Sequence, residues 1–198
     1  FEAMIALFDA THDPAFQQRA GDIFALFVSN FYDPQAHIVG EYFEDDWSKI
    51  SPIRVEPGHQ AEWVWLLKEF ERITGCPTYR YRAALMSSAL RYRDTRTGCL
   101  LDEGDIAGNI TQPTRRLWPQ TEIVKAWLTE VERDTAGARN EALAALDRLM
   151  NQYLAHPVAG GWYGQFDEEG RSIVDFIPAS SFYHIICAAA ETERVLGA

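Results

Sequence analysis

Three prolines set the frame of this chain. Pro57, Pro119 and Pro178 stand roughly 60 residues apart, each near the start of an apolar-periodic run and each behind a short acidic extended segment. Proline is tolerated in the first turn of a helix because its missing N–H has no intrahelical partner there. Each proline therefore predicts a helix start. Their spacing predicts a repeated unit of extended arm, helix, turn and second helix. One such unit cannot bury its own apolar face, so the units must stack. Stacked helix pairs whose polar arms all enter at one end suit a closed ring, with an open α-solenoid as the alternative.

Taken in order, Phe1 to Phe8 reads as the middle of a helix, with no cap and no initiator Met, so the chain is expected to be a fragment that begins inside an element. Asp9 to Pro14 is a turn, and Ala15 to Phe31 carries a helical apolar face. His37 to Trp47 alternates like a short hairpin or arm. The central helix is expected from Pro57 to about Gly75, and its partner from Tyr79 to Tyr92. A second round runs from the acidic segment Leu100–Asp105 through a helix near Pro119 to a partner over Ala138–Ala155. A third opens at Gly160, with a return strand over Arg171–Phe176 after the Glu168-Glu169-Gly170 turn. Pro178-Ala179-Ser180-Ser181 is expected to cap a last helix.

Composition removes several classes of function. A formal charge of −11 disfavours nucleic acid, whose phosphates need a basic footprint, and an anionic membrane surface. No run approaches the apolar length of a transmembrane helix, and no signal peptide is visible. Cys76, Cys99 and Cys187 are odd in number, widely spaced and without a metal-ligand pattern, as expected of reduced thiols in a cytoplasmic protein. Six Trp, eight Tyr and eleven Phe can fill a core or line a sugar pocket.

The stretch from Glu56 to Leu67 carries the most chemistry. His59 and Glu62 are three apart and share a face in the first turns of the central helix, beside Trp63 and Leu66. A carboxylate accepting from one ring nitrogen fixes the tautomer and frees the other nitrogen for proton transfer. If the repeats are equivalent, His59 with Glu62, Trp118 with Glu122, and His184 converge on one mouth. Arg115 and Arg116 at that mouth suit a phosphate or sugar hydroxyls. Each residue also has a plainer role: His184 as a core residue, Trp63 and Trp118 as packing, Glu122 with Lys125 as a solvated pair, the two arginines as exposed charge. No nucleophile elbow, phosphate loop or dinucleotide fingerprint competes, and the histidines lack a zinc spacing. Neither metal nor cofactor is expected. His12, His37 and His156 adjoin turn residues and are given no role.

Glu56-Pro57-Gly58-His59 with Glu62-Trp63 and Trp65-Leu66-Leu67, Arg116 to Glu122, and Phe182-Tyr183-His184 together resemble the N-acylglucosamine 2-epimerases, a group that takes in mannose isomerases and cellobiose 2-epimerases. The resemblance runs from Phe1 to the last helix. It implies an all-α (α/α)6 barrel, of which residues 1–198 are the C-terminal part of a single domain, with short β-hairpin arms. It implies that the residues matching His59 and His184 form an acid–base pair, that Glu62 supports the first histidine, that Glu122 is an active-site carboxylate, and that Trp118 contacts substrate. It also places an Asn-x-His-Met-His stretch ahead of Phe1. Pro178-Ala179-Ser180-Ser181 before Phe182 looks more like the mannose-6-phosphate isomerase branch than the cellobiose epimerases.

The expectation is thus a sugar isomerase or 2-epimerase with catalytic His59, His184, Glu62 and Glu122. Trp118, Arg115, Arg116 and Trp63 would bind a small sugar or sugar phosphate, in a cytoplasmic protein for which a homodimer is an allowed assembly. Two other classes stay open: an (α/α)6 glycoside hydrolase or lyase working through carboxylates such as Asp105 and Glu122, and a catalytically silent helical scaffold in which His59 and His184 diverge.

Overall fold

The computed structural model describes residues 1–197. Seven helices carry the fold: α1 (Glu2–Thr11), α2 (Pro14–Leu26), α3 (Pro57–Thr74), α4 (Tyr79–Arg91), α5 (Leu117–Val131), α6 (Ala138–Arg148) and α7 (Ser180–Leu196). Their boundaries follow local chemistry. Asp13 accepts the Ala15 N–H at 2.9 Å while Pro14 occupies the first helical position of α2. Pro57 opens α3, and Gly75, left-handed at φ 71°, closes it. Helices α2 and α6 each end in a wide π-helical turn, over Phe27–Phe31 and Leu149–Tyr153. The α6 turn therefore stops at Tyr153, short of the expected Ala155.

The helices form two layers. Helices α1, α3, α5 and α7 pack side by side in chain order, and α2, α4 and α6 back the first three of them. This is the inner and outer wall of an (α/α)6 barrel. Short links such as Gly75–Thr78 between α3 and α4 make each pair a hairpin. Helix α5 has neighbours on three sides, α3, α7 and α6, and all but three of its 15 residues are buried. Its burial extends to Glu122, Lys125 and Glu130, which an amphipathic surface helix would leave in water. The main core runs from Phe27 and Val39 through Val64, Leu67 and Leu85 to Val124, Leu128 and Tyr153.

Seven short strands form the arms, all on the approaches to the inner helices. β1 (Tyr32–Asp33) and β2 (Ile38–Val39) make an antiparallel hairpin. β3 (Arg54–Val55) pairs with β4 (Glu103–Asp105), which pairs in turn with β5 (Ile110–Gln112). β6 (Arg115–Arg116) pairs with β7 (Gln165–Phe166). The arms of successive repeats are thus tied to one another across the top of the barrel wall. The return strand expected over Arg171–Phe176 shrinks to a single bridge, Phe166 with Ser172. The cap of α7 falls within the expected stretch, at Ala179, without a side-chain capping bond, and Ser180 and Ser181 lie inside the helix.

Buried side chains hold the arms down in the same way twice. Gln60 of α3 accepts from the Val39 N–H at 2.8 Å and donates to the Val39 carbonyl at 2.9 Å. Gln120 of α5 does the same to Leu100, at 2.9 Å for both bonds. Each amide completes the backbone pairing that an isolated arm lacks. The expected repeat is therefore physical: Glu56, Gly58, His59, Gln60 and Glu62 correspond to Arg116, Trp118, Pro119, Gln120 and Glu122 at the starts of α3 and α5. Among the described residues no helix is long and apolar enough to cross a membrane, and Cys76, Cys99 and Cys187 are all unpaired.

Candidate functional site

The first turns of α3, α5 and α7 converge around the indole of Trp118. Its ring centroid lies 4.9 Å from that of His59 on one side and 5.6 Å from that of His184 on the other. Gly58 makes this arrangement possible. A Cβ at Gly58 would stand 2.6 Å from the Trp118 ring, so the indole from one repeat fills the space left empty by the corresponding residue of the other. In an unencumbered helix Gly→Ala gains about 1 kcal/mol. Gly58→Ala is expected to lower the melting temperature instead and to shift tryptophan emission, both readable in one thermal scan.

Each histidine has its Nδ1 on a carboxylate. His59 Nδ1 meets Glu41 Oε2 at 2.7 Å, and His184 Nδ1 meets Glu122 Oε1 at 2.8 Å. A carboxylate there favours the Nδ1–H form and leaves Nε2 as the exchanging nitrogen. Burial alone would lower the His59 pKa. The Glu41 hydrogen bond and the charges of Glu41, Glu56 and Glu62 outweigh it, so the imidazole titrates above its ordinary value. The fold thus favours protonated His59. That contribution to stability is complete below the unfolded-state value of about 6.5 and is lost as pH rises through the elevated folded value.

Glu62 acts on His59 through its charge, and the hydrogen bond to the ring comes from another residue. The Glu62 carboxylate groups with Glu122 and His184, any two of the three offering atoms within 4.8 Å, while Glu41 from the arm takes His59. The reason is the repeat itself: Glu62 and Glu122 hold equivalent positions on neighbouring inner helices and so come side by side. Burial, then the charge of Glu122, pushes the Glu62 carboxyl up, against the pull of Lys125, His59 and His184. Glu122 and Lys125 are not a solvated pair either. Both are fully enclosed, with Nζ 2.7 Å from Glu122 Oε2 and 4.2 Å from the Trp65 ring centroid.

Arg116 stays at the mouth, 5.4 Å from the centroid of the Trp118 ring. Its charge is already met by Glu56 at 2.8 Å and Asp102 at 3.2 Å. Arg115 is not at the mouth. Adjacent residues of a strand point to opposite faces, and Arg115 is buried on the far side against Asp94 and the Asp167 carbonyl. Trp63 also leaves the site: it stacks on Phe27 and Phe1, with centroids at 4.5 and 5.2 Å, because its position on α3 faces α1 and α2. Asp105 binds the backbone and side-chain amides of Asn109 in its own turn and forms no pair with Glu122. Beside Trp118 a cleft of about 270 Å³ runs along Arg116, Gly164, Gln165, Phe176 and Ser181. A polar hollow of about 520 Å³ adjoins it, lined by Tyr42, Arg54, Glu56, Asp102 and Glu103.

Among the described residues two groups are compact enough to surround a cation, Glu41 with Glu56 and His59, and Glu62 with Glu122 and His184. In each, internal partners already occupy the donors, so a cation would have to break the His59–Glu41 or Glu122–Lys125 contact. Sequence reasoning missed Glu41 and the burial of Lys125. The signal for Glu41 was the arm register: it stands two residues after the clamped Val39, as Asp102 stands two after Leu100.

Residues 1–188 match the N-acylglucosamine 2-epimerase (GlcNAc 2-epimerase) family profile. The mannose-6-phosphate isomerase of Rhizobium meliloti (strain 1021) is 33% identical over 92% of this chain and 49% of its own length. The structure superposes on that of a D-mannose isomerase with a TM-score of 0.85 and 26% identity, over 98% of this chain and 53% of the other. The cellobiose 2-epimerase of Spirochaeta thermophila DSM 6192 shares the fold with a TM-score of 0.82 at 24% identity, over 98% of this chain and 49% of that one. The chain spans about half the length of the curated relatives it matches. It belongs to the N-acylglucosamine 2-epimerase family.

Proposed function

We propose that the protein is a sugar isomerase or 2-epimerase in which His184 moves the C2 proton of an aldose while His59 serves the neighbouring oxygens. One observation carries this: His59 and His184, each with Nδ1 on a carboxylate, both pack against the Trp118 indole. A catalytically silent scaffold has no use for that convergence. His184 Nε2 takes the proton from C2 while His59 Nε2 gives one to O1, leaving a cis-enediol. Return of the first proton to C1, with the O2 proton passing back to His59, gives the ketose. Protonation of the opposite face of C2, with the O1 proton passing back to His59, gives the epimer. The assignment of acid and base follows charge. His59 sits among Glu41, Glu56 and Glu62, which favour its protonated form. His184 leans on Glu122, whose charge Lys125 balances.

Trp118 offers an apolar platform for the sugar ring. Arg116 and Arg54, the guanidiniums of the adjoining hollow, are already paired with Glu56, Asp102 and Glu103. That favours an uncharged sugar of the mannose or N-acetylmannosamine class over mannose 6-phosphate. Incubation with each of these and with cellobiose, with products resolved by NMR, tests the reading. Ketose or C2 epimer from at least one is expected. No product from any of them, alongside release of reducing sugar from an oligosaccharide, would contradict it.

A further inference from the structure

We propose that Glu41, on the arm ahead of α3, is the positioning residue for His59, holding the imidazole by Nδ1 and leaving Nε2 for proton transfer. Nothing in the sequence near His59 points to it; the two are 18 residues apart. The case rests on comparing the two repeats. In the second repeat Asp102 follows the clamped Leu100 by two positions and accepts the N–H of Arg116, the residue that opens α5, at 2.7 Å. In the first, Glu41 follows the clamped Val39 by two positions and accepts the N–H of Glu56, the residue that opens α3, at 2.9 Å. One oxygen of each carboxylate therefore anchors an arm to a helix start.

The second oxygens differ. Asp102 Oδ2 accepts from Thr114 Oγ1 at 2.5 Å and Gln165 Nε2 at 2.8 Å, all within the arms. Position 59 has Pro119 as its counterpart there, which offers nothing to bind. Glu41 has one more methylene and uses it to reach His59 at 2.7 Å. Its side chain is only 9% exposed, and with one oxygen fixed by the backbone the other has little freedom to leave. The remaining groups around His59 are Glu56 and Glu62 from α3 and Trp118 from α5, with Arg116 drawing off the charge of Glu56. Among the described residues only Glu41 makes a hydrogen bond to the ring. A purely anchoring role needs no more than an aspartate, as Asp102 shows. The longer side chain is accounted for by the histidine.

The kinetic part of this inference rests on the isomerase reading; the titration part does not. Three variants separate the roles. Glu41→Asp keeps the anchor to the Glu56 N–H, as Asp102 does in its repeat, but falls short of His59. Glu41→Gln keeps the length but offers an uncharged amide. Gln60→Ala cuts the arm clamp without touching His59. The His59 ring proton is followed by NMR through a pH titration, with kcat and KM measured beside it. Both Glu41 variants are expected to lower the His59 midpoint, and to lower kcat by about tenfold or more with KM little changed, as befits loss of a partner that orients a reacting group. Gln60→Ala is expected to lower the melting temperature and leave the His59 midpoint in place. An unmoved midpoint in both Glu41 variants would overturn the proposal, as would equal shifts in all three, which would mark Glu41 as an arm anchor only. If the unaltered protein turns over no sugar while the midpoints still move, the isomerase reading fails and the Glu41–His59 assignment stands.

Discussion

The His184→Asn protein is expected to lose about two to four orders of magnitude in C2 proton transfer, the usual worth of a positioned general acid or base. Asparagine is the informative choice. Its amide nitrogen stands near where Nδ1 does and can still donate to Glu122 Oε1, so the buried carboxylate keeps a partner. What disappears is Nε2. Because Trp118 packs against the ring at 5.6 Å, some packing is lost as well, and a melting curve measures how much. A loss in kcat with an intact melting transition assigns the effect to chemistry. Retention of full activity would remove His184 from the mechanism. His59→Asn is expected to behave alike on the other side of the indole, with Glu41 as the retained partner.

Lys125→Met is expected to destabilise the fold by about 3–5 kcal/mol, the range for removing one partner of a buried ion pair. Both Lys125 and Glu122 are fully enclosed, so the carboxylate left behind finds no water to solvate it. It would then take up a proton or draw more heavily on His184, and either change reaches the site. Adding Glu122→Gln to Lys125→Met removes the orphaned charge and is expected to recover a large part of the stability, because a buried amide is far cheaper to desolvate than an unpaired carboxylate. Activity should not return with it, since His184 then leans on an amide. Denaturant titration of the three proteins checks this. A Lys125→Met protein as stable as the unaltered one, or a double variant no better than the single, would mean that Lys125 does not balance Glu122.

The helices were legible because their punctuation is local. Pro14, Pro57 and Gly75 act through their own φ and N–H, and the chain obeys them. The convergence of His59, Trp118 and His184 was legible through the repeat, since equivalent helix starts in a ring face one mouth. Glu41 was not legible, because it belongs to an arm whose register is set by Gln60 from a helix that follows it in sequence. Glu62 shares a helical face with His59, as three residues of spacing require, and acts on it by charge, but the hydrogen bond to the ring comes from Glu41, while the neighbouring helices bring Glu122 and His184 to Glu62 as well. Lys125 read as solvent-facing because i,i+3 charge pairs usually are; the flanking helices α3 and α7 close over it. Arg115 and Arg116 differ only by the alternation of a two-residue strand, visible once β6 pairs with β7.

In the proposed reaction His184 takes the C2 proton of the sugar while His59 serves O1, and deuterium wash-in reads that step whether or not a product accumulates. Mannose is incubated with the protein in deuterated water, and loss of the C2 proton signal is followed by NMR for the unaltered, His59→Asn and His184→Asn proteins. Wash-in by the unaltered protein and its collapse in both variants is the predicted result. Wash-in that survives in both variants would contradict the account.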